Sequence, residues 1–225
     1  AAPGELGFLY FEPGRLPGAS QGAAVRLQPW RSPQGEWVLF MPAACGGPLT
    51  VLVTRQGAAL DGRPLETGQQ RTLAPGEHIV TLPNGRQRSL TVLQGGGLGA
   101  VFLETGGGSF DFVEQDEAKY TGMPGTATFL RADGSLEYAG PVEQLRGRGN
   151  TTWAEPKKPF QLKLTAAQAL YGMDRAKNWV LLANALDDTL LRNDTAFALA
   201  DALGLAGTPQ SCFVDLYLNG EYRGC

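Results

Sequence analysis

The chain has 225 residues, 43% hydrophobic and 18% charged, which excludes a disordered polymer and allows one large domain or two modest ones. Its 31 glycines and 15 prolines follow no Gly-X-Y period, so collagen is excluded and a turn-rich β protein favoured. A net charge of −3 and a pI of about 5.3 argue against a general nucleic-acid binder, and no apolar run approaches the ~18 residues of a membrane span.

From Phe8 to about Leu103 the chain alternates short apolar runs with turn residues. FLYF, AVRLQPW, EWVLFMP, LTVLVT, HIVTL, RSLTVLQ and AVFLET read as strands, separated by SPQG, DG, PGE and PNG. Their spacing predicts a small antiparallel sandwich or barrel. Trp30 and Trp37 are either sugar-stacking platforms or, as is more common, buried strand aromatics. The triplets Gly95-Gly96-Gly97 and Gly106-Gly107-Gly108 are not followed by GK[ST], so they read as hinge or bulge glycines rather than a phosphate loop. His78 is the sole histidine, which argues against a Ser-His-Asp triad or a multi-histidine metal site; it reads as an exposed strand residue. Cys45, Cys212 and Cys225 make an odd number without metal-ligand spacing, and Cys45 and Cys212 are expected as buried thiols.

Beyond Leu98 the texture changes. TATFLRADGSLEYAG is a hairpin around Asp133-Gly134. In FQLKL, Phe160, Leu162 and Leu164 should share one face, with Gln161 and Lys163 on the other. AKNWVLLANAL reads as a buried strand or short helix. A helix is predicted from about Asp188 to Leu203, capped by Asp187 or Asp188 and stopped at Gly204. Helical phase puts Arg192 beside Ala196, Leu199 and Leu203 on an inward face, with Asp194 and Asp201 toward solvent. An inward Arg192 needs a partner, either an internal salt bridge or a ligand. CFVDLYL followed by Asn219-Gly220 and EYRGC is a hairpin whose return strand has only begun, so the native polypeptide is expected to continue past Cys225. The stretch from Pro141 to Arg192 carries a local excess of three positive charges, which suits a small anionic ligand.

RGRGNTTW, PKKPFQLKL, LYGMDRAKNWVLLANALDDTLLRND and VDLYLNGEYRG, in this order and spacing, resemble the spore-coat CotH kinase family over about Leu98 to Cys225. The expected fold class is α+β: an all-β sandwich-like module over 1–97, then a partial atypical protein-kinase-like lobe over 98–225, built of antiparallel strands and one main helix. The resemblance implies an atypical kinase that binds ATP with Mg2+ or Mn2+ and phosphorylates Ser or Thr of secreted, surface or spore-coat proteins of a bacterium. Carried over by motif, Arg148, Gly149, Asn150, Thr151 and Thr152 form a turn over the phosphates, and Lys163 is the strand lysine that meets them. Lys157 and Lys158 are alternatives to Lys163, while Arg192 and Asn193 support the site from the helix.

The family's Asn/Asp-containing catalytic loop and Trp-Asp-x-Asp metal motif do not occur in the chain. No catalytic residue and no metal ligand is therefore assigned, tight cofactor binding is not expected, and the polypeptide by itself is expected to show no turnover. The competing reading is a non-catalytic surface scaffold or adhesion protein. Asn150-Thr151-Thr152 and Asn193-Asp194-Thr195 match the glycosylation triplet but read as site-motif residues.

Overall fold

The structure is a computed structural model that describes residues 5–13, 26–31, 36–43, 48–105, 110–119 and 121–225. The chain divides into two compact units, one of residues 1–100 with 130–136, the other of 101–129 with 137–225. The described residues are mostly β, with one helix longer than a single turn.

The first unit contains β1 (Leu9–Pro13), β2 (Trp30–Arg31), β3 (Trp37–Met41), β4 (Leu49–Val53), β5 (Ala59–Leu60), β6 (Arg63–Pro64), β7 (Gln70–Arg71), β8 (Gly76–Thr81) and β9 (Gln87–Gln94). They form a three-stranded sheet β1-β4-β7 and a six-stranded sheet β2-β3-β9-β8-β5-β6. Leu9, Phe11 and Val51 of the first sheet join Leu39, Val80, Leu90 and Val92 of the second in one buried cluster. The expectation of purely antiparallel pairing fails at β3, which runs parallel to β9 from Trp37↔Leu90 to Met41↔Gln94. All five residues of β3 are buried, so a continuous apolar run replaces the alternation of a half-solvated strand. Trp37 is buried within it, and Trp30 is half-buried.

A Cβ on Gly95 would lie 2.5 Å from the Phe40 ring, so its lack of a side chain serves close packing. The second glycine triplet and Cys45 lie outside the described residues. Cys212 is exposed rather than buried.

His78 is also less exposed than expected. Its Nδ1 lies 2.7 Å from the Asp61 carboxylate and its Nε2 2.8 Å from the Ala74 carbonyl. Burial alone would lower the His78 pKa; two acceptors facing the two ring nitrogens outweigh it and raise it.

The second unit contains β10 (Gly99–Thr105), α1 (Asp111–Glu114), β11 (Gly122–Leu130), β12 (Leu136–Gly147), a 3-10 turn (Thr151–Trp153), β13 (Phe160–Gln168), β14 (Ala176–Leu181), α2 (Arg192–Ala202), β15 (Val214–Leu218) and β16 (Glu221–Gly224). Seven strands form one sheet in the order β14-β13-β12-β11-β10-β15-β16. The hairpin of β11 and β12 turns at Asp133-Gly134, where Gly134 has φ +80° and its N–H donates to the Arg131 carbonyl. Asn219 and Gly220 both hold positive φ, as the two-residue β15–β16 turn requires. Phe160, Leu162 and Leu164 are buried in a cluster with Val101, Leu103, Val142, Leu145 and Trp153, while Gln161 and Lys163 sit on the other face as the alternation predicts.

Two expectations for this unit are corrected. Residues 176–181 form a partly exposed edge strand rather than a buried element, with Val180 44% exposed. The helix starts at Arg192, four residues later than expected, and buries no residue; Asp194, Phe197 and Ala200 are its half-buried positions, while Leu199 and Leu203 face solvent. The inward face derived from helical phase is thus the outward one. Asp187 nonetheless serves the helix start, its Oδ2 accepting the Arg192 N–H at 2.8 Å.

Candidate functional site

The turn between β12 and β13 carries the sequence RGRGNTTW, and each glycine has a local reason. A Cβ on Gly147 would sit 2.4 Å from the Trp153 indole, so the ring lies directly on the glycine. Gly149 has φ +85°, and a Cβ there would meet the Thr152 hydroxyl at 2.4 Å. The Arg148 N–H donates to the Pro159 carbonyl at 3.2 Å, and the Trp153 N–H to the Asn150 carbonyl at 3.1 Å. The backbone therefore reverses within a few residues and returns into β13.

Two cavities border this turn. The smaller, about 220 Å3, is lined by Arg148, Gly149, Thr152, Pro159, Asn184, Asp187, Arg192 and Asn193 among others. The larger, about 1040 Å3, takes Arg148, Lys157 and Lys158 together with apolar groups such as Trp179, Phe197 and Phe213. Arg148 lines both, and among the described residues no carboxylate lies within ion-pair reach of it.

Five of the residues singled out by sequence, Arg148, Gly149, Thr152, Arg192 and Asn193, thus border one cavity. Arg192 does so from an exposed position, its side chain 78% accessible and its Nε 3.5 Å from Asp187 Oδ1, not from the inward face expected of it. Asn193 donates from Nδ2 to Asn184 Oδ1 at 2.7 Å, which joins the helix start to the loop after β14. Asn150 is exposed, and Thr151 begins the 3-10 turn; neither lines either of these two cavities.

The lysines separate. Lys163 lines neither cavity: its ammonium pairs with Glu143 of β12, which also takes Lys177 of β14 at 2.9 Å. Those two lysines hold the Glu143 carboxyl below its ordinary range. Alternation along β13 sends Lys163 to the face opposite Phe160 and Leu162, and those two residues line the larger cavity. Lys157 and Lys158 do reach that cavity, but both ammonium groups are engaged. Lys157 donates to the Cys225 carbonyl, and Lys158 donates to the Trp153 carbonyl at 2.5 Å with its charge 5.2 Å from the Trp153 ring.

Sequence reasoning missed Asn184, Asp187 as a cavity wall, and Lys119. Asp187 Oδ1 accepts from the Thr189 hydroxyl at 2.7 Å and its N–H at 3.1 Å, while Oδ2 accepts the Arg192 N–H. The Arg192 N–H and the Thr189 hydroxyl outweigh the carboxylate's partial burial and hold its pKa low. Asn184, at φ +49°, donates to the Leu190 carbonyl at 3.1 Å. An Asn or Asp at a loop end is a recognisable turn former, but its partners five or six residues on are not legible in composition. Among the described residues no three His, Cys, Asp or Glu side chains gather as a metal-binding group.

Residues 145–225 match the family model described as CotH kinase protein. No curated protein and no solved structure gives a match to the chain.

Proposed function

We propose, from the match of residues 145–225 to the CotH kinase family model, that the second unit is the phosphate-gathering part of a kinase-like lobe. In this reading the protein uses ATP with Mg2+ or Mn2+ to phosphorylate Ser or Thr of secreted, cell-surface or spore-coat proteins of a bacterium. The observation that carries it is Arg148: a cation with no acid in ion-pair reach among the described residues, set at the border of two cavities.

The sizes support a division of labour. Ligand pockets commonly span roughly 300–1,000 Å3, so a cavity of about 220 Å3 suits part of a ligand and one of about 1040 Å3 suits a whole heterocycle and sugar. Around the smaller cavity the Arg148 guanidinium and the Thr152 hydroxyl fit phosphate oxygens, with the Arg192 guanidinium, shared with Asp187, and the Asn193 amide, shared with Asn184, beside them. ATP would bring the transferable phosphoryl group; these residues would bind and orient it. The described residues offer no matching carboxylate set for a divalent ion, so no step is assigned to one.

The test is a titration of the chain with a fluorescent ATP analogue in the presence of Mg2+. Arg148→Gln should weaken binding by about tenfold or more, the loss of one charge-assisted hydrogen bond. Lys163→Gln should leave the affinity unchanged, because its ammonium is spent on Glu143. Equal affinity of Arg148→Gln and the parent chain, or no binding by the parent at millimolar analogue, would refute the reading.

A further inference from the structure

Lys119 lies outside residues 145–225 and outside every motif in the sequence, yet its ammonium is seated on the turn. Nζ donates to the Gly149 carbonyl at 2.6 Å and to Asn150 Oδ1 at 3.2 Å. The same short segment meets the turn's flanks twice more. Trp153 Nε1 donates to the Asp116 carbonyl at 2.9 Å, and an Arg146 guanidinium N–H reaches the Lys119 carbonyl at 3.4 Å. Asp116 braces the segment from within, its carboxylate accepting the N–H groups of Ala118 at 2.9 Å and Thr121 at 2.7 Å. Lys119 itself holds φ +64°, a left-handed conformation uncommon for a residue with a Cβ.

We infer that Lys119 is a positioning residue for the Arg148–Thr152 turn, and the inference rests on the phosphate-binding reading of that turn. The peptide between Gly149 and Asn150 is planar and trans, so its C=O and N–H point in opposite directions. An ammonium that holds the Gly149 carbonyl therefore also fixes the direction of the Asn150 N–H. A second bond to the Asn150 side chain fixes the residue on the other side of that peptide. Left alone, a glycine at φ +85° could rotate among several backbone wells and lose the orientation of its amides. The tie replaces that freedom with one geometry before any ligand arrives, which lowers the ordering cost of binding.

The experiment uses the whole chain with Lys119→Met and Lys119→Arg, read by amide exchange without nucleotide and by affinity for the fluorescent ATP analogue. Lys119→Met should speed exchange over residues 148–153 by about tenfold while β13 amides stay protected. It should also weaken the analogue by several-fold. Lys119→Arg, whose guanidinium can donate to the same two acceptors, should restore most of both. Exchange in Lys119→Met within about twofold of the parent, or no rescue by arginine, would overturn the inference. If the parent chain binds no analogue, the phosphate reading falls and the exchange arm alone decides Lys119, faster exchange supporting it and unchanged exchange refuting it. Should Lys119→Met unfold the sheet, Asn150→Ala removes one acceptor from an exposed position. Faster exchange at residues 148–153 then supports the tie, and unchanged exchange counts against it.

Discussion

In β13, Phe160, Leu162 and Leu164 are buried against Val142 and Leu145 of β12, whereas β14 and α2 next along the chain contain no buried residue. The first region is ordered by apolar surface removed from water. The second is ordered by polar ties: Asp187 to Thr189 and Arg192, Asn184 to Leu190 and Asn193, and the Asp174 N–H to Gln210 Oε1 at 2.7 Å. Each tie is a hydrogen bond worth on the order of 1 kcal/mol net, while a buried leucine contributes about 1.5–3 kcal/mol. The phosphate-turn candidate sits where the two regimes meet, with Arg148 rooted at the end of β12 and Arg192 at the start of α2. One wall is therefore firm and the other adjustable, a combination that would suit the entry and release of the nucleotide proposed for it.

The largest expected effect lies on the firm side. Leu164→Ala leaves a cavity in a cluster where the side chain is fully buried, and should cost about 2–5 kcal/mol in urea unfolding monitored by tryptophan fluorescence. A loss below about 1 kcal/mol would mean the sheet core does not carry the unit's stability, and the contrast with α2 would collapse.

Next in size is the release of the helix start. The Asp187 pKa is held low by the Arg192 N–H first and the Thr189 hydroxyl second. A carboxyl lowered on folding contributes stability that is full above its unfolded value and is lost as pH falls through its folded value. At neutral pH the tie is intact; below the ordinary aspartate value of about 3.9 it should weaken progressively. Asp187→Ala should reproduce the acid effect at pH 7, raising amide exchange over residues 189–195 without affecting residues 160–164. Equal acceleration in both segments would show that α2 and the sheet open together.

Much of the firm region was legible in the sequence, because its signals are local. The period-two alternation of FQLKL placed Phe160, Leu162 and Leu164 inside and Lys163 outside, and Asn219-Gly220 specified the last hairpin turn. What alternation did not say is which face borders a cavity, and there Lys163, the favoured phosphate lysine, fell on the far side beside Glu143. The adjustable region was misjudged for a related reason. Helical phase ranks faces by hydrophobicity, yet the apolar residues of α2 ring the helix without a dominant stripe: Phe197 turns inward while Leu199 and Leu203 turn out. Lys119 was invisible for want of any local signal. Thirty residues separate it from Gly149, and only the folded chain brings its ammonium to that carbonyl.

The smallest effect is the sharpest check on the contrast. Leu199 is a large apolar side chain that is 59% exposed on α2. If the helix is held by its polar ties, Leu199→Gln removes almost no buried surface and exchanges one good helix former for another. Its unfolding free energy should stay within about 0.5 kcal/mol of the parent, the range typical of surface substitutions. A loss approaching that of Leu164→Ala would mean that Leu199 is covered in solution. The arm would then be ordered by apolar burial after all, and the adjustable wall assigned to the candidate site would have to be given up.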